Sequence, residues 1–137
     1  MKTLVSLTTL ASLLLFSTAH AAEYSLMIYE TKAELAARGD ATKSDAYWEG
    51  YNAFARELVK AGVMRGGSIM DEKAVRVVSS NKTSEQNPEV NGSHLGGYFV
   101  LDVPDIETAA HWAAKVPTKG FVEVRPHRPN PTRGIKK

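Results

Sequence analysis

Residues 95–103 read LGGYFVLDV, and this stretch decides the fold. Alternation puts Phe99, Leu101 and Val103 on one face of a strand, and Tyr98 and Val100 on the other. A strand apolar on both faces belongs in the middle of a sheet that is covered twice. Pro104-Asp105 stops it, and Asp105 can cap the helix that follows. In that helix Ile106, Ala109, Ala110 and Ala113 fall at i, i+3, i+4 and i+7, and Pro117 ends it. GFVEVR, residues 120–125, then reads as a last strand.

Upstream, AEYSLMIYE at 22–30 is a second strand apolar on both faces, closing on Tyr29 and Glu30. Residues 31–43 are polar and Ala-rich, with a helical turn expected before Gly39. Residues 44–61 carry the clearest helix. Tyr47, Tyr51, Phe54 and Leu58 form one stripe, widened by Trp48, Ala55 and Val59. Read this way, the Trp48/Tyr51/Phe54 stripe is core. Ser44 or Asp45 is expected to cap its start, and Gly62 suits the left-handed position after its end. Val63–Met70, broken by Gly66-Gly67, and Ala74–Ser79 read as short strands around a turn at 71–73. Residues 80–94 form a long polar loop with an Asn91-Gly92 turn signal.

This order predicts an α+β class protein. It is a ferredoxin-like βαββαβ domain with an antiparallel sheet and two helices on one sheet face. The other face is apolar as well and needs a cover. A second copy of the chain supplies one, so a homodimer is expected.

The chain has 137 residues, enough for one compact domain. Its 17 Lys+Arg against 15 Asp+Glu leave a formal charge of +2, with no clustered basic footprint for nucleic acid. The absence of cysteine excludes disulfides, thiolate metal sites and a cysteine nucleophile. Residues 1–21, MKTLVSLTTLASLLLFSTAHA, have the three-part layout of a cleaved signal peptide. The apolar stretch is too short for a span, which takes about 20 largely apolar residues. The mature chain would begin at Ala22, periplasmic or secreted, with no membrane association after cleavage. A domain over 22–126 and a loose tail over 127–137, rich in Pro and Lys, complete the expected organisation.

SLMIYE, YWEGYNAFARELVKAGVMRGG, LGGYFVLDVPDIETAAHWAAKVP and the closing VEVRP together resemble the YCII-related family, in its DGPF-type branch, over roughly residues 24–126. The resemblance implies a ferredoxin-like fold that dimerises into an α+β barrel. The branch's Asp-Gly-Pro-Phe run is replaced here by SEQNPEVNGSH, with Pro88 at the motif's Pro and no Asp.

Few residues stand out for chemistry. His94, just before the Gly96-Gly97 pair, is the acid–base candidate on its intrinsic pKa. His111 sits between Glu107 and Lys115 on a solvated helix face, and His127 lies in a proline-flanked loop. No histidine pair has metal-ligand spacing, so neither metal nor cofactor is expected. The glycine pairs precede no helix and form no phosphate loop. They suit close backbone approach or a bulge. Tyr29, Tyr98, Asp102 and Arg125 are candidates to line a small-molecule site between the two sheets of a dimer. Two readings follow. One is a binding protein with its ligand in the dimer cleft. The other, implied by fold analogy, is a cofactor-free isomerase or monooxygenase with His94 as general base and Arg125 as anion holder.

Overall fold

The computed structural model describes residues 22–128. The expected signal peptide and residues 129–137 of the expected tail lie outside the described residues. Strand β1 (Ala22–Thr31) leads into a short helix α1 (Lys32–Ala37) and then the long helix α2 (Ser44–Lys60). β2 (Met64–Ile69), β3 (Val77–Ser79), β4 (Lys82–Ser84) and β5 (Ser93–Val103) follow, then helix α3 (Ile106–Ala113) and β6 (Phe121–Pro126). The main sheet has the order β2-β5-β1-β6, and every pairing in it is antiparallel. This is the ferredoxin-like α+β fold. The minimal βαββαβ core is extended by α1 and by a separate β3–β4 hairpin.

Register explains the two-faced strands. Leu26 pairs with Phe99 and Val124, Tyr24 with Leu101, and Ala22 with Val103. These residues share the face on which α2 and α3 pack. Tyr24, Leu26, Ile28, Leu101 and Val103 join Phe54 and Leu58 of α2, Ala109 of α3 and Val116 in one core. The opposite parity presents Ser25, Met27, Tyr29, Tyr98 and Val100 on the open face.

Local signals set the element ends. Thr31 and Glu34 form a reciprocal capping box at the start of α1. Asp105 caps α3 through the Thr108 amide at 2.7 Å. At the end of α2, Gly62 adopts φ +71°. Its amide and that of Val63 bond back to Val59 and Leu58, closing a Schellman motif. Asn91 and Gly92 both have positive φ, between reciprocal Val90–Ser93 bonds of 2.7 and 3.0 Å. That is the two-residue hairpin turn their sequence calls for.

Several expectations need correction. α2 is capped by neither Ser44 nor Asp45: Lys43 occupies the N-cap without a side-chain bond. Val59 is 65% exposed and Ile106 45% exposed, so neither belongs to the buried stripe of its helix. Ala110 is exposed too, and α3 faces the core with Ala109, Trp112 and Ala113. Of the expected strand 74–79 only Val77–Ser79 pairs, and its partner β4 lies in what reads as loop. Neither half of that hairpin is long or apolar enough to show a period.

The core assignment has a sharp consequence. Leu58→Ala should lower unfolding free energy by about 2–5 kcal/mol, because Leu58 is fully buried. Val59→Ala, one residue away, should stay within about 0.5 kcal/mol. Urea unfolding followed by circular dichroism measures both.

Candidate functional site

The inward parity of β1 runs Tyr24, Leu26, Ile28, Glu30, so the strand ends by burying a carboxylate. Glu30 is 1% exposed. A charge taken so far out of water needs a countercharge and hydrogen bonds. Arg38, at the C-terminus of α1, supplies the countercharge: its Nη2 meets Glu30 Oε2 in an ion pair buried on both sides. The guanidinium also donates through Nε to the Tyr47 hydroxyl at 2.9 Å and through Nη1 to the Met70 carbonyl at 2.8 Å. Nη2 reaches the Gly96 carbonyl at 2.7 Å, and Glu72 lies 3.5 Å from Nη1. Four of the fork's five N–H groups are therefore hydrogen-bonded, and Glu72 is a second carboxylate neighbour of Nη1.

Helix α2 closes the cluster from above. Tyr47 and Tyr51, one turn apart, donate their hydroxyl protons to Glu30 Oε1 at 2.6 and 3.1 Å. Burial, and then the adjoining carboxylate, push both phenols well above their ordinary pKa. They stay protonated and keep their hydrogen bonds to Glu30.

The backbone of β5 makes room for this. The register with β1 slips between Ile28 and Tyr29, whose partners are Gly97 and Leu95, leaving Gly96 as the extra residue of a bulge. A Cβ on Gly96 would run into the Glu30 carboxylate and the Arg38 guanidinium. The glycine pair serves close approach and a bulge together. Gly67 on β2 is similar, since a Cβ there would lie 2.7 Å from the Tyr98 carbonyl.

Next to the cluster, between α2 and the β2–β5 side of the sheet, lies a cavity of about 270 Å³. Ile28, Trp48, Ala55, Met64, Ile69 and Phe99 give it apolar walls. Glu30, Arg38, Tyr47 and Tyr51 form its polar end, and Asn52 sits exposed at its rim. The helix stripe thus divides. Phe54 and Leu58 are core, and Tyr51 packs against that core while lining the cavity. Trp48 lines the cavity outside the core cluster, which corrects its reading as core.

The residues singled out from sequence lie elsewhere. Tyr29, Tyr98, Asp102 and Arg125 share the open sheet face, as their parity requires. Each charged member is already paired. Arg65 grips Asp102 through Nη2 and Nε at 2.6 and 3.0 Å, and Arg125 binds Glu123 at 2.6 Å. Tyr29 stacks on Phe121 at 4.5 Å, with its hydroxyl pKa raised chiefly by the Glu123 carboxylate. His94 is buried and shares its Nδ1 proton with the Pro88 carbonyl at 2.9 Å; Nε2 stands 3.6 Å from Glu89. It borders a shallow polar groove with Lys32 and Asp40, outside the Glu30 cavity. His94 pairs with Glu30 and Arg125 with Ser25. Five strand positions, about 17 Å, separate them, too far for both to hold one small group. Among the described residues, no cluster of three or more His, Cys, Asp or Glu could hold a metal ion.

Sequence reasoning passed over Glu30, Arg38 and the two α2 hydroxyls. A usable signal existed: Glu30 shares parity with Leu26 and Ile28, and a tyrosine in a buried stripe needs a partner for its hydroxyl.

No curated protein matches the chain. The family model of the YCII-related domain matches residues 22–129, all but the ends of the sequence, and spans every strand and helix described above. The chain belongs to the YCII-related domain family.

Proposed function

We propose that this YCII-related protein is an exported homodimer that binds a small molecule in the cavity of each protomer. The observation that carries the reading is the cavity itself. Its walls are apolar, its far end is the hydrogen-bonded Glu30–Arg38–Tyr47–Tyr51 cluster, and its volume is about 270 Å³. Apolar pockets with a few fixed polar groups are the common form of small-molecule sites. A benzene molecule occupies a cavity of roughly 150 Å³, so one substituted ring fits here. Binding is favoured over acid–base catalysis because both phenols are held protonated and the guanidinium is already held by four hydrogen bonds and two carboxylates. The reading with His94 as base and Arg125 as anion holder draws no support from their separation.

Export is supported by the layout of residues 1–21 and by the start of both β1 and the family match at Ala22. The sequence of the β5–α3 region supports the DGPF-type branch. Dimerisation, with the α+β barrel it would build, is supported by the open face. Met27, Tyr29, Tyr98, Val100 and Phe121 stand on the side of the sheet away from α2 and α3. On this reading Tyr29, Tyr98, Asp102 and Arg125 belong to the dimer contact, and the ligand lies on the other side of the sheet.

Two outcomes check the proposal. Ala55→Trp should fill the cavity from the α2 side. A ligand at 100 times its Kd stabilises a protein by about 2.7 kcal/mol, and the variant should lose that thermal shift with any single-ring compound that gives it in the wild type. A shift that survives Ala55→Trp would move the site elsewhere. Light scattering at micromolar concentration should give twice the protomer mass, and Val100→Asp on the open face should give a folded monomer. A wild-type monomer would refute the dimer without touching the cavity.

A further inference from the structure

The hydrogen-bond directions inside the cavity narrow its ligand. A tyrosine hydroxyl has one proton to give. Tyr47 and Tyr51 have both given theirs to Glu30 Oε1. Tyr47 Oη accepts one bond, from Arg38 Nε, and retains a lone pair; Tyr51 Oη retains two. The Trp48 indole N–H is spent on the Arg38 carbonyl at 3.3 Å, and the Ser68 hydroxyl on the Ile69 carbonyl at 3.3 Å. With the guanidinium held by four hydrogen bonds and the Glu72 ion pair, the polar end offers acceptors. Tyr98 also borders the cavity, but alternation with Phe99 sends its side chain to the open face. Asn52 keeps its amide donors at the exposed rim, where water competes for them.

Charge points the same way. Glu30 and Arg38, the charged residues that line the cavity, cancel, and Arg38 has Glu72 as a second carboxylate neighbour at 3.5 Å. An anion entering the cavity would give up its water and meet no engageable cation. Trp48, Tyr51 and Phe99 supply aromatic surface for a ring.

We infer that the cavity selects a ring-sized molecule that donates a hydrogen bond to Tyr51 Oη or Glu30 and carries no negative charge. This rests on the cavity being the ligand site, as proposed above. Phenols, anilines and benzylic amines or alcohols belong to the selected class. Benzoates and aryl ethers do not. The preference inverts what Arg125 as an anion holder would give.

The experiment is a titration of the isotopically labelled protein with phenol, anisole, benzylamine and benzoate, followed by amide NMR. Gly96, Gly97, Ser68 and Ile69, all at the cavity wall, serve as reporters. Phenol should shift these resonances with a Kd about tenfold below that of anisole, which matches it in shape but lacks the donor. Benzylamine should bind and benzoate should leave the reporters unmoved. Ala55→Trp should abolish the phenol shifts. Anisole or benzoate binding at these reporters as tightly as phenol would overturn the donor preference while leaving the cavity as the site. Reporters that respond to none of the four compounds would overturn the site reading and this inference together.

Discussion

The buried Glu30–Arg38 pair is the constraint on which the rest of the site depends. A carboxylate at 1% exposure on the inner face of the central strand cannot be left alone. Satisfying it recruits the end of α1 through Arg38, the first two turns of α2 through Tyr47 and Tyr51, and the end of β2 through the Met70 carbonyl. The bulged backbone of β5 is drawn in through Gly96. Five elements meet around one buried ion pair. Such a pair adds little stability over apolar residues of the same volume, but breaking it strands a charge. Its service here is to fix where α1 and α2 sit on the sheet.

That placement explains why a cavity persists beside a well-packed core. Phe54, Leu58, Leu26 and Leu101 fill the space farther along α2 with apolar side chains in direct contact. At the Glu30 end the tyrosine rings are held by their hydroxyls, and the facing β-strands carry Gly67, Gly96 and Gly97 in place of side chains. Each glycine abuts a neighbour's backbone or charged group, so no larger residue could grow into the gap from the sheet. Core and cavity thus share one helix, one residue stripe and one sheet face. They differ in whether the stripe carries wholly apolar side chains, as at Phe54 and Leu58, or hydroxyls, as at Tyr47 and Tyr51.

Much of the fold was legible because it rests on local rules. Alternation in AEYSLMIYE and LGGYFVLDV gave the two central strands and their two-faced character. Asp105, Gly62 and Asn91-Gly92 each hold the position their chemistry favours. The Gly96-Gly97 pair announced close approach, though not to what. The site was less legible because it is made by tertiary pairing. Glu30 looks like an ordinary polar strand end until its parity with Ile28 is followed inward. Arg38 sits in a polar stretch with nothing local to mark it. Tyr29, Tyr98, Asp102 and Arg125 do share one face, as parity said, but parity alone does not say which face carries the helices. Val59 and Ile106 sat at plausible helical spacing and proved exposed, since a helix this close to a narrow sheet buries only part of its apolar arc.

The most direct test of the central claim is a double-mutant cycle on the buried pair, read by urea unfolding of wild type, Glu30→Leu, Arg38→Met and the double variant. If the pair organises the site, each single change leaves a partner charge unpaired and lowers stability by about 3–5 kcal/mol. The double variant, with no charge to strand, should then be no less stable than either single one. Losses that add to within about 0.5 kcal/mol would show two independent side chains and contradict the account.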